Sequence, residues 1–286
     1  MKKYTQKQNI YDTITQSIIT QLDAGVVPWH KPWAGGMPSN YISNAAYRGV
    51  NVLSLEVKQI AAGYDSNNWL TFAQAKNSGG YIKAGEKGTG IIFWKFFNKE
   101  VKDDTSGEVR VDSVPMAKGY TVFNLCQCSG LKPKDTIEID CIGAADSIIS
   151  GYNGAPQIDH GGDRAFYVPS SDRVQIPLRN SFETSEAYYS TMFHELTHST
   201  GHESRLDRSI KNNFGDSLYS QEELVAELGA AFLMGMTGGE LIAKTIDNSA
   251  AYIETWRRRI SEDNSLIVKA ASAAQKAADY IQGEKD

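Results

Sequence analysis

The chain has 286 residues, enough for two domains of ordinary size. Hydrophobic residues make up 41% and charged residues 22%, which allows a buried core and excludes a disordered or low-complexity chain. The net charge of −5 is unevenly spread: residues 1–130 carry 14 Lys+Arg against 10 Asp+Glu, whereas residues 131–286 carry 15 against 24.

In chain order, "MKKYTQKQNIYDTITQS" starts with lysines but has no apolar run behind them, so it does not read as a signal peptide. No stretch approaches the roughly 20 apolar residues that span a bilayer, and the expectation is a cytoplasmic protein without a membrane partner. Ile10, Ile14, Ile18 and Leu22 recur every four residues before Gly25, predicting an amphipathic helix over 8–24 with a glycine stop. "VVPWHKPW" breaks the pattern, and a second helix is predicted over 48–62, stopped by Gly63. Thr71 can cap a short helix "FAQAKN". "GYIKAGEKGTGIIFWKFF" then reads as strand, turn and long aromatic strand, "NKEVKDDTSGEVRVDSV" as a polar hairpin tip, and "KGYTVFNL" as the returning strand.

Cys126, Cys128 and Cys141 are too few for a disulfide scaffold, and one residue between the first two is too short for a zinc knuckle. They read as reduced, partly buried thiols. Gly, Pro and Lys cluster in "CSGLKPKD", where a linker is placed, giving domains over 1–130 and 131–286. The back half predicts a helix over 143–152, two short strands in "AFYVPSSDRVQIP", and a capped helix over 184–200. A helix opening at Ser220 and two more over 252–260 and 266–281 follow, with Trp256 and an alanine-rich face turned inward. Strands and helices segregated in this way indicate an α+β fold in two domains.

The 184–200 helix carries "HELTHSTGH". His194 and His198, four apart, leave one helix face together and can share one divalent ion, zinc first and manganese or another divalent metal second. Glu195 suits a general base: the metal acidifies water towards a pKa of roughly 7 and polarises a scissile carbonyl, while the carboxylate takes the proton. A third ligand is required. The metzincin spacing fails because position 204 is serine, and Gly201 should swing His202 away. The gluzincin pattern takes its carboxylate from a second helix, here Glu223 or, one turn on, Glu227. Glu223 as ligand leaves Glu227 to hold a ligand histidine. Against this, Ser220-Gln-Glu-Glu fits a capping box that would use up Glu223 and leave Glu227 as ligand. Two histidines, one carboxylate and an open position make a site of catalytic type, with a host protein or peptide as the substrate class. "AFYVPSSDRVQIP" can offer an edge to an extended peptide, or be an ordinary hairpin.

Four of the five tryptophans lie before residue 95. Aromatic faces that stack bases, set among cations that follow the phosphates, bind single-stranded nucleic acid with little sequence preference. Candidates are Trp29, Lys31 and Trp33 in "PWHKPW", Arg48 in "AYRGVN", and Lys83, Lys87 and Trp94 in the aromatic hairpin; the alternative for each aromatic is the core.

Together "GVVPWHKPW", "NYISNAAYRGVNVLSL", "NWLTFAQAKNSGGYIKAGEKGTGIIFW", "YTVFNLCQ", "DRAFYVPSSDRVQIPLRNSF", "HELTHSTGHESRL" and "YSQEELVAELGAAFL" resemble the plasmid-borne antirestriction proteins of the ArdC type over nearly the whole chain. The resemblance implies an N-terminal single-stranded-DNA-binding domain and a C-terminal zincin-like metallopeptidase domain. It also implies protection of incoming DNA from host restriction during conjugation or other transfer. Carried over by motif, His194, His198 and Glu223 become metal ligands and Glu195 the general base. Two other functions compete: a non-catalytic single-strand-binding protein with a structural metal, and an accessory protein of plasmid replication or transfer. No acidic metal triad for nucleotide polymerisation is visible.

Overall fold

A computed structural model describes residues 10–30, 36–102, 109–134, 140–208, 217–238 and 250–284. The fold is α+β in two parts. The front part opens with α1 (Ile10–Asp23), whose Ile14, Ile18 and Leu22 are buried as their spacing requires. A short turn holds Trp29, and strand β1 (Ser39–Asn40) leads to α2 (Val50–Ala62). Gly63 ends α2 in the left-handed conformation, φ 63°, where its N–H reaches back to the carbonyls of Gln59 and Ile60.

Strand β2 (Asn68–Leu70) precedes α3 (Phe72–Asn77), which has the full capping box of Thr71 and Gln74. After β3 (Tyr81–Ile82) come the long strands β4 (Thr89–Lys102) and β5 (Val109–Asn124), then β6 (Cys128–Ser129). The hairpin is longer than the sequence suggests: the ladder runs from Thr89↔Val122 out to Lys102↔Val109, so residues 98–102 and 109–114, read from sequence as part of a polar tip, are paired strand. The main sheet has the order β1-β2-β5-β4, and β3 pairs with β6. Beyond Ser129 the chain runs without regular structure through Lys134.

The back part begins with α4 (Cys141–Gly151), whose N-cap Asp140 accepts from the Gly143 amide. A three-stranded sheet follows, β7 (Gln157–His160), β8 (Phe166–Val168) and β9 (Arg173–Ile176), in the order β7-β9-β8. Strand β7, which sequence reasoning missed, pairs parallel to β9 and makes it the central strand; the "AFYVPSSDRVQIP" hairpin therefore offers only β8 as an edge. The remaining helices are α5 (Ser185–Ser199), α6 (Ser217–Met236), α7 (Ala250–Glu262) and α8 (Leu266–Gln282).

One main core joins both parts, from Ile14, Trp29 and Leu53 in front to Phe193, Phe232 and Ile260 behind. Helix α8 presents Ala270, Ala271, Ala274 and Ala278 to that core, and these small side chains let it lie against α2, α4, α5, α6 and α7. Each fully buried Leu or Phe contributes roughly 1.5–3 kcal/mol, so this shared interior is a large part of what holds the two parts together. Among the described residues no helix is long and apolar enough to cross a membrane.

Candidate metal centre

Helix α5 is fixed from both ends of its sequence pattern. Thr184 caps it, accepting from the Ala187 amide at 3.1 Å, and Tyr189, Met192, Phe193 and Leu196 bury one face. That docking leaves His194 and His198 on the neighbouring face, with side chains 18% and 14% exposed. Their Nε2 atoms lie 3.1 Å apart. Two ligands of a tetrahedral ion at about 2.0–2.1 Å would be roughly 3.3 Å apart, so the imidazoles are already converged for a shared cation.

Helix α6 supplies the third donor. It starts at Ser217, so Ser220 lies inside the helix and cannot be its N-cap. The capping-box role for Glu223 falls away with it. Glu223 instead turns both carboxylate oxygens on the histidines, Oε2 at 3.6 Å from His194 Nε2 and Oε1 at 3.6 Å from His198 Nε2. Ligand atoms of His194, His198 and Glu223 all fall within 4.8 Å of one another. The helices can come this close because residue 229 is glycine: a Cβ there would sit 2.5 Å from Thr197 Cγ2 and 2.6 Å from its Oγ1. Glycine in a helix interior costs about 0.5–1 kcal/mol relative to alanine, which the close packing of α5 on α6 offsets.

A second carboxylate orients the site. Glu222 Oε1 lies 3.4 Å from His198 Nδ1, and Arg208 grips the same carboxylate, Nε to Oε2 at 3.0 Å and Nη2 to Oε1 at 2.7 Å. Arg208 also donates to Thr200 Oγ1 at 2.7 Å and to the Thr197 carbonyl at 2.8 Å. An acceptor at Nδ1 favours the tautomer that leaves Nε2 free for a metal. Sequence reasoning gave this orienting role to Glu227 and missed Glu222 and Arg208. Glu227 is buried and accepts from Trp29 Nε1 at 2.7 Å and from the Tyr252 hydroxyl.

The electrostatics suit a cation. Burial alone would lower the His198 pKa, but Glu222 and Glu223, joined by the charge of Glu195, lift it to about 10. Burial works to raise Glu223, yet the two imidazoles hold it well below the usual carboxylate range. Glu222 is likewise held low, against its burial, by His198 and Arg208. Glu195 itself is 7% exposed. Two nitrogen donors and one carboxylate in a field that favours positive charge fit a divalent metal. His202 takes no part: its Nδ1 faces the Ser204 hydroxyl at 2.8 Å.

The proposed nucleic-acid residues have different surroundings. Trp29 is fully buried, packed edge-on against Trp256 with ring centroids 6.5 Å apart, so it cannot stack on a base as expected. The reason is non-local: Glu227 of α6 and Trp256 of α7 cover Trp29. Lys31 and Trp33 lie outside the described residues. Arg48 is ion-paired with Asp279 and Glu284, and Lys83 Nζ donates to the Cys126 carbonyl at 2.9 Å. Lys87 is exposed, and Trp94 stands on β4 opposite Ala117.

A family model of the N-terminal domain of the anti-restriction factor ArdC matches residues 8–123, and one of a zincin-like metallopeptidase matches residues 144–273. The metal-free crystal structure of the antirestriction protein ArdC from plasmid R388 is 38% identical, with a TM-score of 0.75 over 96% of this chain and 97% of that one. Its Mn(II)-bound structure is 37% identical, with a TM-score of 0.75 over 96% and 98%. A DNA primase TraC of Escherichia coli is 36% identical over 96% of this chain, which spans 27% of the primase's length.

Proposed function

The chain belongs to the ArdC-type antirestriction family, and on that premise we propose that it binds single-stranded DNA and hydrolyses a peptide bond while protecting incoming DNA of a mobile element from host restriction. The observation that carries the hydrolytic part is the convergence of His194, His198 and Glu223 within 4.8 Å, with Glu195 beside the first histidine. These three residues would hold the ion. Zinc suits the donor set, and manganese suits it as well, as the Mn(II)-bound relative illustrates.

When bound, the ion supplies a Lewis acid that polarises a carbonyl and makes water more acidic. The chain's own residues do the rest. Glu195 takes a proton from the attacking water on its carboxylate and returns it to the leaving amine. Glu222, steadied by Arg208, holds the His198 ring at Nδ1 and so leaves Nε2 as the atom that would meet a bound ion. Strand β8, an edge of its sheet and in contact with α5, is the place for an extended peptide to pair. The protein works in the cytoplasm, where a transferred strand first meets restriction enzymes.

The test is Glu195→Gln in metal-loaded protein. Proteolysis of an unfolded protein substrate should fall by about 10²–10⁴-fold while metal content stays the same. Equal proteolysis by both proteins would sink the hydrolytic reading. Transfer of DNA into a restricting recipient, measured in parallel, reports protection separately. A second reading, an accessory of plasmid DNA replication, draws on the similarity to a primase; stimulation of primer synthesis without any effect on restriction would favour it.

A further inference from the structure

Three cavities lie end to end across the junction of the two parts, and adjoining ones share walls. The first, about 680 Å³, has Ile91, Ile92 and Val122 as its floor and Phe93 and Tyr120 on its side. It shares Arg48, Asn51 and Ile92 with a middle cavity of about 250 Å³. The middle one shares Val268, Ser272 and Lys276 with a third of about 660 Å³, which ends at Arg208. The result is one groove from the front sheet, over the face of α8, to the guanidinium that grips Glu222 behind His198.

Its chemistry changes along its length. At the sheet end Phe93 is 48% exposed and meets Tyr120 edge-on at 5.4 Å. Lys118, cross-strand from Phe93, holds its ammonium 5.3 Å from the Tyr120 ring. Further along, Lys269 and Lys276 stand two turns apart on α8, about 10.5 Å along its axis. Both are exposed, and Lys276 makes no ion pair among the described residues; Lys269 has Asp263 at 3.9 Å. The acid nearest the middle, Asp279, is 5% exposed and covered by Arg48.

The polar side chains at the aromatic end are already committed. Asn51 closes both of its amide bonds on the Ile92 backbone, each at 2.7 Å, and Gln74 Oε1 accepts from the Thr71 amide at 2.8 Å. They are therefore not free to read base edges. What the groove offers is ring faces, an apolar floor and cations.

We propose that a single DNA strand occupies this groove, with a base against Phe93 and Tyr120 and its phosphates on Lys276 and Lys269, so that the strand crosses from the front part onto the metallopeptidase part. The proposal rests on the single-strand reading above and adds its path. Stacking on ring faces beside exposed lysines gives binding that tolerates sequence.

The experiment is anisotropy of a labelled oligo-dT of about 16 nucleotides, titrated with full-length protein between roughly 50 and 200 mM salt. Lys269→Ala/Lys276→Ala should lower the slope of log affinity against log salt by about 1.4, from two lost phosphate contacts at roughly 0.7 each. Phe93→Ala should lower affinity roughly 5- to 100-fold and leave that slope alone. An unchanged slope in the double variant, unchanged affinity in Phe93→Ala, or equal competition by polyglutamate overturns the path while leaving single-strand binding standing. No binding by the unaltered chain would remove the underlying reading and the path with it.

Discussion

The back part holds the acids of its metal centre by pairing them, whereas the front part buries one with no partner among the described residues. Glu222 and Glu223 each face an imidazole, and Glu222 has Arg208 as well; both carboxyls are held low. Glu56 on α2 is 3% exposed, its Oε1 has no hydrogen-bond partner among the described residues, and burial pushes its pKa up to about 8. The same residue type is thus an anion in one place and a neutral acid in the other, because desolvation acts alone on Glu56 whereas the imidazoles and Arg208 outweigh it at Glu222 and Glu223. A metal centre needs charge kept in a dry place, so it needs partners; a packing position does not.

The contrast would be broken most severely at His194. His194→Ala should lose the metal altogether, with elemental analysis falling from about one ion per chain to none, and added metal should no longer raise the melting temperature. Retained metal and an unchanged melting response would mean that the ion sits elsewhere. Single-strand affinity per folded molecule should be unaffected.

Glu222→Gln tests the orienting partner. Loss of an outer carboxylate of this kind typically costs about 10–100-fold in metal affinity, which competition with a chelating dye can read. In metal-free protein His198 keeps its proton up to about pH 10. Metal binding must expel it, so apparent affinity should climb about tenfold per pH unit between roughly pH 6 and 8. The slope should flatten in Glu222→Gln.

Glu56→Gln sharpens the other side. The acid's folded pKa of about 8 lies above its ordinary 4.5. Its contribution is therefore fully present below about pH 4.5 and is lost as pH rises towards 8, since only the unfolded chain can ionise there. The slope is at most about 1.4 kcal/mol per pH unit. The variant should consequently gain stability over the parent as pH rises from 5 to 8; denaturant melts at several pH values would show it, and a gap independent of pH would contradict the neutral-acid picture.

The smallest effect is expected at Trp29. Trp29→Phe removes a buried donor from Glu227 and should cost about 1–3 kcal/mol. The melting temperature should fall by roughly 2–4 °C per kcal/mol, with strand binding intact. A large loss of strand binding in a protein that melts normally would return Trp29 to the surface.

The metal helix was legible because its information is local. A spacing of four puts His194 and His198 on one face whatever else the protein does. The third donor was only half legible, since choosing between Glu223 and Glu227 depends on where α6 begins, and it begins three residues before the serine that looked like a cap. Glu222 and Arg208 gave no signal: one is an acid among acids, the other comes from the segment between α5 and α6. Trp29 was misread for the same reason. Whether Trp29 is core or contact depends on α6 and α7, some 200 positions away. The pair Phe93 and Tyr120 depends on a hairpin register that a long polar tip does not specify.

The buried hydrogen bond between Trp29 and Glu227 ties the first turns of the chain to the helix that carries Glu223. Because the interior is common property, ligation free energy gained at one end raises the unfolding cost of the other by mass action. A cell's supply of divalent ions would then set the lifetime of the whole molecule against its proteases, the front sheet included, whether or not a peptide bond is ever cut.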